Sequence, residues 1–116
     1  MFKEQRREVQ GIKMSPDENN GIQNSSVESE DDVLEFQLHF EKGQFYFING
    51  KYDNAIKEFI RALKLQPDNA EALYSIGIAY EGTNGYEKAR ESYLKALKSD
   101  PNHEPAKEHL NRLLDK

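Results

Sequence analysis

His39, His103 and His109 are the only imidazoles in this 116-residue chain, and cysteine is absent. No two histidines stand four apart, the spacing at which one helix face presents two metal ligands. Without thiols there is no disulfide, no zinc–thiolate site and no cysteine nucleophile. Asp31-Asp32 and the scattered glutamates fall in a tail or on faces the sequence expects to be solvated, so no buried carboxylate pair for acid–base work is indicated. Gly82-Thr83-Asn84-Gly85 is the one glycine-rich run. It joins two helical patterns, with no strand before it and no lysine after it, so it fails as a phosphate loop. Ser25, Ser26 and Ser29 lie beside acidic residues and could accept phosphate. The same stretch reads more simply as a solvated linker, with Ser29 capping a helix whose first turn holds Glu30, Asp31 and Asp32. These residues give no catalytic constellation, so the sequence expects neither an enzyme nor a metal or cofactor site.

The net charge of −5 is unevenly placed. Residues 1–32 hold eight acidic against four basic groups, and the remainder 13 against 12. No basic stripe exists to neutralise phosphates, which argues against nucleic acid and against anionic membranes as partners. No apolar run approaches the roughly 20 residues needed to span a bilayer, and the charged start is not followed by an apolar core. The expectation is a soluble, cytoplasmic protein.

Residues 1–32 read as an acidic, mostly disordered tail, with core formers too scattered for a stripe and with Gly11, Pro16 and Gly21 as breakers. From Val33 the pattern turns helical, and the periodicity predicts five helices. The first, from Val33 to about Ile48, is apolar over more than half its circumference and should be covered on more than one side. Asn49-Gly50-Lys51 ends it, Gly50 being able to take the left-handed conformation. The second runs from Tyr52 to before Pro67, which pushes its predecessor out of the helical region. It carries Lys57, Glu58 and Arg61 on its polar face. The third spans Ala70 to about Glu81, then a looser turn. The fourth runs from Tyr86 to about Lys98 and the fifth from about Glu104 to Leu114.

What must position these helices is written twice. Gly43, Tyr46, Tyr52, Ala55, Ala62, Leu63, Lys64 and Pro67 recur unchanged 34 residues later, as Gly77, Tyr80, Tyr86, Ala89, Ala96, Leu97, Lys98 and Pro101. Such a period marks stacked supersecondary units, none of which can bury its apolar faces alone. Small residues sit where backbones approach. Gly43 is expected to face Ala55, and Gly77 to face Ala89, while Phe59 and Tyr93 fill the space between helices.

This pattern closely resembles the tetratricopeptide repeat, through Gly43/Gly77, Tyr46/Tyr80, Ala55/Ala89, Phe59/Tyr93, Ala62/Ala96 and Pro67/Pro101. Repeat one is placed at 36–69, repeat two at 70–103, and a capping helix at 104–115, within a repeat domain of 33–116. The cap departs from the pattern in having Asn111 where glycine is expected, and the first repeat in having His39 and Lys42 at positions usually apolar. The resemblance implies an all-α, right-handed superhelical stack of antiparallel helix pairs. About three repeats are usually needed for stability. Two repeats and one helix therefore call for cover from the tail or for association of two chains.

The family's concave face, lined by first helices, binds peptides or helices of partner proteins. In this register it comprises Gln37, Phe40, Gln44, Phe47 and Ile48 from the first repeat, Glu71, Tyr74, Ile78 and Glu81 from the second, and Glu108 and Arg112 from the cap. Members that grip acidic C-terminal tails clamp the carboxylate with Lys, Arg and Asn. The matching positions here are Phe40, Gln44, Ser75, Pro105 and His109, none with a fixed positive charge, so that clamp is absent. The expected partner is a protein or peptide with apolar anchors, such as an amphipathic helix laid into an aromatic, acid-rimmed groove. Self-assembly into a homodimer, or service as an accessory subunit of a larger complex, are the alternatives.

Overall fold

The computed structural model describes residues 29–115, and the tail reading for residues 1–28 lies outside them. The five helices are α1 (Glu30–Ile48), α2 (Tyr52–Leu65), α3 (Ala70–Gly82), α4 (Tyr86–Ser99) and α5 (Glu104–Leu114). Four starts agree with the periodicity. The fifth, α1, begins at Glu30, three residues before the apolar pattern but where Glu30, Asp31 and Asp32 were read as a helix's first turn, because acidic residues suit a helix N-terminus without belonging to any stripe.

Helix boundaries are set by local chemistry that repeats at the same period. The Asn69 side chain accepts from the Ala72 N–H at 3.0 Å and caps α3. One period on, His103 Nδ1 accepts from the Ala106 N–H at 3.2 Å and caps α5. An asparagine cap such as Asn69 contributes about 1 kcal/mol.

The two hairpin turns are equivalent, which corrects the expectation that the second is looser. Gly50 takes φ +76°, and Asn84, its counterpart, takes φ +63°. Lys51 N–H bonds to Tyr46 O at 2.8 Å, and Gly85 N–H to Tyr80 O at 2.8 Å. Asparagine tolerates the left-handed region well enough to replace glycine there. The glycines of the second turn flank that position.

Packing between paired helices also differs from the expected register. The glycines face aromatics, not alanines. A Cβ on Gly43 would stand 2.4 Å from Phe59, and one on Gly77 2.5 Å from Tyr93. The rings thus lie flat against bare backbone, which is why both are essentially inaccessible (1% and 0% exposed). Ala55 instead belongs to the layer between units, with Phe59, Ile76 and Ala79. Ala62 clusters with Ala72, and Ala96 with Ala106, so small residues do bring each second helix against the following unit.

α1 is not covered on more than one side by any described element. Phe36 and Gly43 are buried, yet Leu34, Leu38, Phe45 and Ile48 are exposed by 67%, 53%, 64% and 81%.

Candidate functional site

The first helices α1 and α3 lie side by side and leave a cleft of about 350 Å³ between them. Gln44, Phe47 and Ile48 come from α1, and Glu71, Tyr74, Ser75 and Ile78 from α3; Phe59 of α2 forms the floor. Spacings of three and four along each helix put these side chains on one face. The walls are mostly apolar, with Glu71 at the rim and Gln44 as a neutral donor and acceptor. Such a cleft favours an apolar side chain entering between the helices, with polar or basic groups kept at the edge.

Six of the eleven residues read from the register therefore come together. The other five are placed elsewhere. Phe40 is half-buried, stacked on Phe36 at 5.7 Å and tilted against Phe59 at 5.8 Å, so it belongs to the core and not to an exposed patch. Its position on α1 faces α2, since it shares a row with Gly43 and Phe47. Gln37 is exposed and donates to Glu41 at 3.2 Å. Glu108 and Arg112 are exposed on α5 and do not line the cleft, although their charges act on Tyr74 in its wall. Glu81 is drawn into a polar cluster instead.

That cluster sits where α3, α4 and α5 meet. Tyr93 Oη donates to Glu81 Oε1 at 2.6 Å, and His109 Nδ1 lies 3.0 Å from the same oxygen. A carboxylate only accepts, so Nδ1 must carry the proton, and in the neutral ring Nε2 is left to accept from Tyr74 Oη at 3.3 Å. Burial, reinforced by Glu81, pushes the Tyr93 hydroxyl far above the usual phenol range. Burial does the same more mildly to Tyr74. His109 thus connects the second repeat to α5. His103 does have the role of a cap, and its Nε2 also meets Glu71 at 3.0 Å.

Glu58 corrects a second expectation. Its place on the polar row of α2 suggested a solvated side chain, but it is 5% exposed. His39 Nδ1 lies 2.8 Å from one of its oxygens and Arg61 2.7 Å from the other, with Lys42 at 3.9 Å. Burial raises its pKa, but the His39 hydrogen bond and the Lys42 and Arg61 charges outweigh that and hold the carboxyl below its ordinary range. Hence His39 and Lys42, the apparent departures of the first repeat, are the counterpart of Glu58. The signal available in the sequence was that Glu58, His39 and Lys42 lack equivalents one period later, where Ser92, Leu73 and Ile76 stand, although Arg61 keeps one in Lys95.

Among the described residues no group of histidines and carboxylates has metal-site geometry, and no helix is long and apolar enough to cross a membrane.

Comparison with known proteins agrees with the repeat register. Residues 43–84 match a family model described as TPR repeat, and residues 70–103 one described as tetratricopeptide repeat. Over 56 residues the chain is 48% identical to the "Probable UDP-N-acetylglucosamine--peptide N-acetylglucosaminyltransferase SPINDLY" of Petunia hybrida, covering 48% of this chain and 6% of that protein. Over 72 residues it is 33% identical to tetratricopeptide repeat protein 14 of Mus musculus, covering 62% of this chain and 9% of that protein. Over 68 residues it is 32% identical to anaphase-promoting complex subunit 3 of Schizosaccharomyces pombe, covering 59% of this chain and 10% of that protein. The chain thus spans a tenth or less of the length of these three relatives. With family matches that together run from residue 43 to 103, over helix pairs repeating every 34 residues, this chain belongs to the tetratricopeptide repeat family.

Proposed function

We propose that this chain is a protein-interaction module whose α1–α3 cleft holds apolar anchors of a partner helix, with no catalytic step of its own. The observation that carries the reading is the cleft itself. Phe47, Ile48, Tyr74 and Ile78 converge around about 350 Å³ with Glu71 as the only charged group among them. Its volume suits one or two aliphatic or aromatic side chains, and successive turns of an amphipathic helix would present them at i and i+3 or i+4. The acidic rim favours a ligand whose polar face is neutral or basic. An acidic tail would meet Glu71 and find no fixed cation among the lining residues to hold its carboxylate.

The transferase activity printed for the SPINDLY proteins is not carried over, because 6% of that protein is matched. Names of relatives that include a complex subunit favour a place in an assembly, reached through the same cleft.

The test is a displayed library of amphipathic helical peptides, panned against the wild-type chain and counter-selected on the double variant Ile48→Asp, Ile78→Asp. Ile48 is 81% exposed, so its charge is tolerated by the fold; Ile78 is half-buried against the core, so the single variant Ile48→Asp is panned alongside and should lose affinity in the same direction. Enriched peptides with paired apolar residues should lose at least tenfold in affinity for the variant while its circular dichroism is unchanged. Peptides that bind both proteins equally would place recognition elsewhere. Phe40 is a poor choice for this test, since its truncation would unpack Phe36 and Phe59.

A further inference from the structure

The outer face of α1 carries a second surface, opposite to buried Phe36 and Gly43. Leu34, Leu38, Glu41, Phe45 and Ile48 follow one another at steps of 4, 3, 4 and 3 residues. That is a coiled-coil seam of two heptads with one acidic position. Its four apolar members are all more than half exposed.

The internal repeat says what this face is for. One period on, the positions of Leu38, Glu41, Phe45 and Ile48 are taken by Ala72, Ser75, Ala79 and Gly82. The first three are buried at 0%, 5% and 0%, and Tyr52 of α2 packs onto Gly82. So in α3 this face is the one a neighbouring helix covers, and small side chains allow its backbone to come close. In α1 the same face has large side chains. They would hold a covering helix further out, at the wider separation that knobs-into-holes packing uses, and so do not suit the close contact of one more repeat.

The flanking charges select the occupant. We propose that α1 pairs antiparallel with α1 of a second copy of this chain, about a two-fold axis level with residues 39 and 40. Leu34 then packs on Phe45 of the second copy and Leu38 beside Glu41, while Glu35 stands next to Lys42 and Gln37 next to Gln44. The two-fold makes each of these contacts twice, so Glu35 meets Lys42 on both flanks, while Ile48 at each end stands beside Asp31. Lys42 can take part while its charge still acts on Glu58: its side chain is 49% exposed and that contact is a loose 3.9 Å. Glu41 in an otherwise apolar seam fixes the register and weakens the association, as a single polar residue does in a coiled coil. With only two heptads in contact the dimer is small and reversible. Ile48 and the flanking Gln44 are shared with the cleft, while Phe47, Glu71, Tyr74 and Ile78 stay outside the seam.

Sedimentation equilibrium of the full chain, from low micromolar to near-millimolar concentration, tests this. Wild type should show a monomer–dimer equilibrium. Leu38→Glu and Phe45→Glu, both at exposed sites, should be monomeric at every concentration with unchanged helicity. Glu41→Leu should tighten the dimer tenfold or more. Glu35→Lys and Lys42→Glu should each weaken it about tenfold, and the two together should restore it to within about threefold of wild type, all read on chains of wild-type helicity because Lys42→Glu also sets a carboxylate near Glu58. A chain that stays monomeric throughout, whether because its own residues cover α1 or because a different protein does, overturns the proposal. So does a dimer indifferent to Leu38 and Phe45, or a charge swap that fails to restore it.

Discussion

Substituting Gly77 by alanine should destabilise the protein, against the ordinary preference of a helix interior. On an open helix face this change stabilises by about 1 kcal/mol, because alanine loses less backbone entropy. Here the new methyl would meet three atoms of the Tyr93 ring at 2.5, 2.8 and 3.0 Å. Carbon atoms pack at roughly 3.5 to 4.0 Å, so about 1 Å must be found. Tyr93 cannot easily supply it. The ring is wholly buried, and its hydroxyl is held by Glu81 at 2.6 Å. Overpacking of this kind costs about 1 to 3 kcal/mol, and a strained Tyr93–Glu81 bond adds about 1. Set against the helix preference, the net loss is about 1 to 3 kcal/mol. Urea unfolding followed by circular dichroism measures it. Gly85→Ala is the control: its Cβ would meet nothing nearer than 3.4 Å at a negative φ of −85°, so it should be neutral or slightly stabilising. Combining Gly77→Ala with Tyr93→Leu should cost less than the sum of the two single changes, because the smaller side chain removes the clash. A Gly77→Ala protein as stable as wild type, or strict additivity in that cycle, would refute the argument.

Asn84→Ala should cost about 1 to 2 kcal/mol, because only the left-handed conformation completes the turn, whereas Asn84→Gly should be near neutral; thermal melts of the pair decide. Glu58→Gln should lower stability at neutral pH by about 1 to 3 kcal/mol through loss of charged hydrogen bonds. Since the folded state depresses the Glu58 pKa, its contribution is present above the unfolded carboxylate pKa and is lost as pH falls through the folded value. Melting temperature against pH should therefore drop on the acid side more gently in the variant than in wild type. Tyr93 has the opposite sign: its folded pKa is raised, so its contribution is present below the unfolded phenol pKa and declines as pH climbs beyond about 10. Tyr93→Phe should flatten that alkaline decline, and phenolate absorbance should show Tyr93 ionising only as the protein unfolds.

Much of this molecule was legible as sequence because its units are repeated. Two copies of the same sentence distinguish residues needed for stacking from those free to vary, and periodicity then places α2 to α5 almost to the residue. The cleft was readable for the same reason. Gln44, Phe47 and Ile48 lie on one side of α1 and Glu71, Tyr74 and Ile78 on one side of α3, so the register put these six among its eleven candidates, but their one-period matches Gln37 and Phe40 stay outside the cleft. Sequence also excluded thiol chemistry and a phosphate loop, which depend on residue types and their order.

Tertiary structure decided the rest, because periodicity says which side of a helix is apolar but not what covers it. The ring that fills the space over Gly43 belongs to Phe59, a matter of how far α2 slides along α1. Phe40, an aromatic on the row expected to be exposed, is drawn inward by Phe36 and Phe59. Glu58, on a polar row, is buried because His39 and Arg61 reach it from two helices and satisfy its charge. The outer seam of α1 stays uncovered by any described element, although its apolar pattern called for a neighbour. In each case the deciding quantity is a distance between elements far apart in the chain, which no local pattern carries.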